Sequence, residues 1–178
     1  MSKAAFTESE IIEGCIRQKS LMQRELFERF AGKMMTICRR YTRDRMEAED
    51  MLQVGFMKAF DRIDQHRGGS LEAWLKKIFI NTCLNQWRKS KSEFWVKDEN
   101  QMDGILMEDD GLHQLQAAEL LSLIDSLPSG AKIIFNLFAL EGFPHTEIAI
   151  MLNITESASR AQLSRARKLL QQQLRNHF

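Results

Sequence analysis

Apolar residues recur through the first half of the chain at steps of three and four, the spacing of one face of an α-helix. Phe27, Phe30, Met34, Ile37 and Tyr41 make one such stripe. Ala48, Met51, Leu52, Gly55, Phe56, Ala59 and Phe60 make a second on the next helix. Arg67-Gly68-Gly69 then reads as a loop, and Ser70 as an N-cap whose side-chain oxygen can satisfy a free backbone N–H. A third helix is expected from Leu71 to about Lys91, with Leu71, Trp74, Leu75, Ile78, Cys83 and Leu84 apolar. Lys76 and Lys77 fall towards its other side. Arg88, Lys89 and Lys91 load its C-terminal end, where cations suit the helix dipole.

From about Ser92 the period fails. Asp98, Glu99, Asp103, Glu108, Asp109 and Asp110 mix with Gly104 and Gly111, which reads as an acidic linker carrying only Ile105, Leu106 and Met107 as a short apolar run. Order returns with Ala117, Leu120, Leu121, Ile124 and Leu127, stopped by Pro128. A short helix with Ile133, Ile134, Leu137, Phe138 and Leu140 ends at Gly142. Pro144, tolerated in a first helical turn, opens a helix with Ile148, Ala149 and Leu152. Asn153 can take the left-handed conformation, Thr155 can cap the next helix, and that last helix turns Leu163, Ala166, Leu170 and Leu174 inward. Two helices across so short a turn are a helix-turn-helix signal. The fold class is all-α: a helical domain over 1–93, a linker over 94–116 and a helix-turn-helix domain over 117–178.

Composition narrows the class. With 178 residues, 44% hydrophobic and 28% charged, the chain has ordinary globular values, and it has no apolar run of membrane-spanning length. The N-terminus shows no export signal. Cys15, Cys38 and Cys83, far apart and without a CxxC pair, argue against a disulfide framework or zinc ribbon and fit a reducing cytoplasm. Net charge is +1, but it divides into +5 over 1–93, −7 over 94–127 and +3 over 128–178. Two basic blocks flanking an acidic stretch are compatible with polyanion binding.

Two segments resemble bacterial sigma factors of the small extracytoplasmic-function group of the sigma-70 family. Ala48-Glu49-Asp50-Met51-Leu52-Gln53-Val54-Gly55-Phe56, then Ser70-Leu71-Glu72-Ala73-Trp74-Leu75 and Ile80-Asn81-Thr82-Cys83-Leu84-Asn85-Gln86-Trp87-Arg88-Lys89, resemble sigma region 2. Leu123 to Pro128, Glu141-Gly142, Glu147-Ile148-Ala149 and Leu163 to Leu170 resemble sigma region 4. The likeness spans roughly residues 22–91 and 117–175. There are departures: Ser157-Ala158-Ser159 stands where Gly-Thr-Val usually opens the recognition helix, Asn153 replaces the turn glycine, Gln162 a frequent arginine, and Pro144 a serine cap. Serine at 159 is expected to remove some apolar helix packing.

The resemblance implies three surfaces. Ser157, Arg160, Ala161, Ser164 and Arg165 should lie on the outer face of the last helix, in the major groove of −35 DNA, with Arg160 reaching a base and Arg165, Arg167 and Lys168 holding phosphates. Arg67, Ser70, Trp74, Lys77, Asn81, Asn85 and Arg88 should lie near the melted −10 element, where planar side chains, amides and cations suit unpaired bases. By their residue types alone, Trp74 is either a core residue or a stacking platform, and Asn81 either a buried amide or a groove contact. Glu49, Asp50 and Gln53 should bind a coiled coil of core RNA polymerase, with an acidic patch providing register and steering. The acidic linker is implied to thread the RNA channel, and an anti-sigma factor to mask the free protein. The bland alternatives are solvated helix faces and an inert tether.

No enzyme motif competes. The chain lacks GxxxxGK, GxGxxG, HExxH and GxSxG. Gly142 and Pro144 separate Glu141 from His145, Glu47 and Asp50 lack a helical histidine, and His66, His113 and His177 read as surface residues. Cys83 reads as inert core. No cofactor or metal is expected. A helix-turn-helix regulator that acts without polymerase, and a purely protein-binding adaptor, are the competing classes.

Overall fold

The computed structural model describes residues 6–90 and 117–177. It is all-α and forms two compact units, one within 1–90 and one within 91–178. The expected linker and its acidic residues lie outside the described residues.

In the first unit, α1 (Glu8–Ile16) is followed by α2 (Ser20–Tyr41), α3 (Arg45–Arg62) with a 3-10 turn at Ile63–Gln65, and α4 (Leu71–Ser90). Hydrophobic periodicity does not show α1. Its signal is a capping box: the Thr7 hydroxyl accepts from the Glu10 N–H, and the Thr7 N–H donates to the Glu10 carboxylate at 2.7 Å. Asp44 caps α3 by accepting from the Glu47 N–H at 2.8 Å. Gly68 and Gly69 take positive φ, as the loop requires, and Ser70 Oγ caps α4 by accepting from the Ala73 N–H at 3.3 Å.

α2, α3 and α4 pack against one another around Leu26, Phe30, Met34, Phe56, Leu75 and Phe79. The expected stripes hold with corrections. Phe27 is 43% exposed, although its ring lies 4.8 Å from that of Phe56. On α4, Trp74 and Ile78 are only half-buried, and Phe79, Ile80 and Trp87 fill the core instead. The run Ile78-Phe79-Ile80 is apolar all round, so helical period alone does not choose its inner residue. Cys38 and Cys83, distant in sequence, meet across α2 and α4 as buried free thiols. Their hydrogen bond, followed by burial, pushes the Cys83 thiol up.

The second unit runs α5 (Ala117–Asp125), α6 (Ser129–Phe135), a π turn at Asn136–Leu140, α7 (His145–Leu152) and α8 (Glu156–His177). Its core joins Ile124, Leu127 and Ala131 to Ala166 and Leu170 of α8. Leu121 and Leu140, expected inside, are 46% and 40% exposed, and Leu174 is half-buried. Gly142 has φ 77 and lets the Phe143 N–H reach back to the Leu137 carbonyl at 3.0 Å. Pro144 is the N-cap of α7, one position before the first helical turn. No helix among the described residues is long and apolar enough to cross a membrane.

Candidate nucleic-acid and polymerase interfaces

The helix-turn-helix geometry comes from two small residues. Asn153 takes φ 55 and ψ 50, ending α7 in a left-handed cap, and its N–H bonds back into the helix. Thr155 Oγ1 then starts α8 by accepting from the Ala158 N–H at 3.1 Å. Burial of Ser159, Leu163, Ala166 and Leu170 fixes the rotation of α8. Ser157, Arg160, Ala161, Arg165, Arg167 and Lys168 are therefore exposed, as expected, whereas Ser164 is half-buried. The Arg160 guanidinium is held by Glu156 one turn back, and Arg167 lies over the Phe138 ring at 5.8 Å.

The place of the expected apolar contact at Ser159 is taken by a polar one. Ser159 is fully buried, and its hydroxyl lies 2.9 Å from Nδ1 of His145 on α7. A polar bridge replaces apolar contact at the crossing, and it gives His145 a role that sequence spacing does not show.

On α4, Trp74, Lys77, Asn81, Asn85 and Arg88 succeed one another at steps of three and four, so they share one face. Lys77, Asn81, Asn85 and Arg88 are exposed, which removes the buried-amide reading of Asn81. Trp74 is half-buried at the head of this stripe. Its ring meets His66 edge-on at 5.7 Å, so His66 is not the plain surface residue expected. Arg88 donates to the Asn85 side-chain carbonyl, and exposed Arg67 to the Asp64 carbonyl at 3.1 Å. These contacts align a cation, two amides and an indole along a surface able to take flexible, negatively charged strands.

Glu49, Asp50 and Gln53 are exposed on α3, opposite its core stripe. Glu49 accepts from Arg45 at 2.7 Å. Apolar residues unforeseen from the sequence lie between them. Met46 is 73% exposed, Met57 66% and Val54 37%, on the same face as Asp50 and Gln53. These residues leave an exposed apolar stripe beside the acidic side chains. Their sequence signal is that of apolar residues off the core period.

Among the described residues no group of three or more His, Cys, Asp or Glu could hold a metal ion. The sequence profile of Sigma-70 region 2 matches residues 26–93, and that of Sigma-70 region 4 matches 117–170. The chain belongs to the sigma-70 family. The ECF RNA polymerase sigma factor SigM of Bacillus subtilis (strain 168) is 26% identical over 150 residues, covering 82% of this chain and 91% of its own length. The ECF RNA polymerase sigma factor SigE of Mycolicibacterium smegmatis is 25% identical over 158 residues, covering 86% of this chain and 62% of its own. Among solved structures, the sigma factor RpoE in complex with the anti-sigma factor NepR from Bartonella quintana has a TM-score of 0.53 at 22% identity. That alignment covers 85% of this chain and 96% of RpoE, a likeness that bears on the fold. This sigma-70 protein is an RNA polymerase sigma factor of the extracytoplasmic-function type, with a region 2 unit and a region 4 unit in order.

Proposed function

We propose that this sigma factor directs core RNA polymerase to promoters by three surfaces acting together. The α3 face of Met46, Glu49, Asp50, Gln53, Val54 and Met57 docks on core enzyme. Apolar anchors supply contact area and the carboxylates supply register. The α4 stripe from Trp74 to Arg88, with Arg67 and Ser70 beside it, captures the unpaired −10 strand. Recognition helix α8 enters the −35 major groove with Ser157, Arg160, Ala161 and Ser164 towards bases, while Arg165, Arg167 and Lys168 hold phosphates. The protein forms no covalent intermediate; it acts by binding, in the cytoplasm, and an anti-sigma factor is the proposed masking partner.

The observation that carries this reading is the pairing of two solvent-facing stripes on adjacent helices α3 and α4, one apolar and acidic, the other amide-rich and basic. A regulator acting alone on duplex DNA has use for neither. The test is transcription in vitro with purified core enzyme and a genomic promoter pool, alongside co-elution of chain and core. Wild type should co-elute and confer start-site selectivity. M57E, a change at an exposed position, should weaken association about tenfold or more, as expected for a charge placed in an apolar anchor site. Duplex binding without core association would assign a stand-alone regulator instead.

A further inference from the structure

Where α7 crosses α8, four side chains form a continuous chain. Fully buried Ser159 meets Nδ1 of His145 at 2.9 Å. The His145 ring stacks on Phe138 of the π turn, with centroids 4.6 Å apart and planes at 21°. Phe138 in turn lies under the Arg167 guanidinium at 5.8 Å. The charged groups acting on the imidazole, Arg160, Glu156 and Arg167, are all on α8, and the π turn contributes the Phe138 ring. The imidazole thus sits among the cations assigned to DNA.

We propose that His145 is a positioning residue for promoter DNA, which locks recognition helix α8 to α7 through Ser159 and takes up a proton when duplex binds. This rests on the region 4 DNA surface proposed above. The physical chain is short. Burial first, then the positive fields of Arg160 and Arg167, hold the imidazole below its ordinary value, with Glu156 opposing them in part. The free protein therefore keeps the ring neutral near pH 7. Phosphates arriving at Arg160 and Arg167 cancel the field that keeps the proton off, so the bound ring is more basic than the free one. A ligand that raises a pKa binds more tightly at lower pH. Affinity should therefore rise as pH falls through the bound value and level off below the free one. Nδ1–H can still donate to Ser159 Oγ in the imidazolium, so the bridge survives protonation.

The test uses the full chain and a fluorescent duplex recovered from a randomised library by the chain itself, titrated at constant ionic strength from about pH 8 to about pH 5.5, the range in which histidine charges. Wild type should bind roughly three- to tenfold more tightly at the acid end, since one unit of pKa difference between bound and free states sets a tenfold limit. H145Q keeps a hydrogen-bonding amide but cannot titrate, so the difference between wild type and this variant isolates His145 from His66, His113 and His177. S159A should weaken binding across the range while keeping the slope. An H145Q slope equal to that of wild type overturns the proton linkage, and no duplex binding by wild type at any pH overturns the DNA surface as well. Should H145Q fail to fold, an NMR titration of the wild-type ring still decides: a bound value no higher than the free one overturns the proposal.

Discussion

Two glycines in helix interiors of the region 2 unit should respond oppositely to one substitution. Gly32 on α2 is exposed, and a Cβ added there meets nothing within 4 Å. Gly55 on α3 is buried, and its added Cβ would come within 2.4 Å of Phe79 Cε1, 2.6 Å of Cδ1 and 2.7 Å of Cζ. Ordinary carbon contacts lie near about 3.5–4.0 Å, so the ring must retreat by roughly 1 Å. It has nowhere easy to go. Phe79 is 0% exposed, and Phe56 packs edge-on against it with centroids 5.0 Å apart.

Replacing glycine by alanine inside a helix gains about 1 kcal/mol of propensity. G32A should keep that gain and raise the midpoint of thermal unfolding by about 4–8 °C, the response of a unit this size to 1 kcal/mol. G55A adds overpacking of about 1–3 kcal/mol, and the enclosed ring argues for the upper end. Its net loss is then about 2 kcal/mol, or roughly 10 °C. Tryptophan fluorescence in a W95F background is the probe, because Trp74 and Trp87 both lie on α4 of the region 2 unit. G55A should also weaken core association, since Gly55 sets how closely the helix bearing Asp50 and Met57 approaches α4. A G55A midpoint equal to or above that of wild type would refute the close α3–α4 contact and the rotation it gives to the docking face.

Further expectations concern the region 4 unit. R160A should change the preferred −35 sequence in a selection experiment, whereas R167A should weaken all duplexes about equally and lower the salt slope of binding by about one; identical behaviour of the two would refute the assignment of the α8 outer face. At Asn153, whose φ is 55, N153G should leave thermal stability unchanged or raised, and N153A should cost about 1–2 kcal/mol in far-ultraviolet circular dichroism melts.

Punctuation residues make most of the fold legible. Ser70, Pro128, Gly142, Asn153 and Thr155 each mark a helix end through a backbone requirement that one residue type meets locally. The outer face of α8 is legible from its inward leucines and alanine for the same reason. The features hidden in the sequence are non-local or too short to show a period. Thr7 and Glu10 form a capping box on a nine-residue helix whose buried residues are only Ile11, Gly14 and Cys15. Phe79 replaces Ile78 in the core because three consecutive apolar residues carry no phase. The Cys38–Cys83 contact and the His145–Ser159 bridge join residues on different helices, and nothing in the local pattern pairs them. Serine at 159, set against the family pattern, looks like a lost contact, yet a histidine fourteen positions earlier supplies its partner.

The candidate surfaces share one electrostatic habit. Arg160 is paired with Glu156, Glu49 with Arg45, and Arg88 with the Asn85 amide, each within one turn of its own helix. Exposed pairs of this kind contribute about 0–1 kcal/mol, because water screens them and holding two long side chains costs entropy. They are thus poor stabilisers and cheap to break. A phosphate or a polymerase side chain that offers a shorter, better desolvated partner displaces the internal one at little cost. Until then the Glu156 carboxylate partly neutralises Arg160, which lowers its attraction to arbitrary polyanions. His145 extends the habit inward. It is the half-buried group that senses whether Arg160 and Arg167 still carry an uncompensated field, so the same exchange of partners that seats DNA also changes the charge where α7 crosses α8.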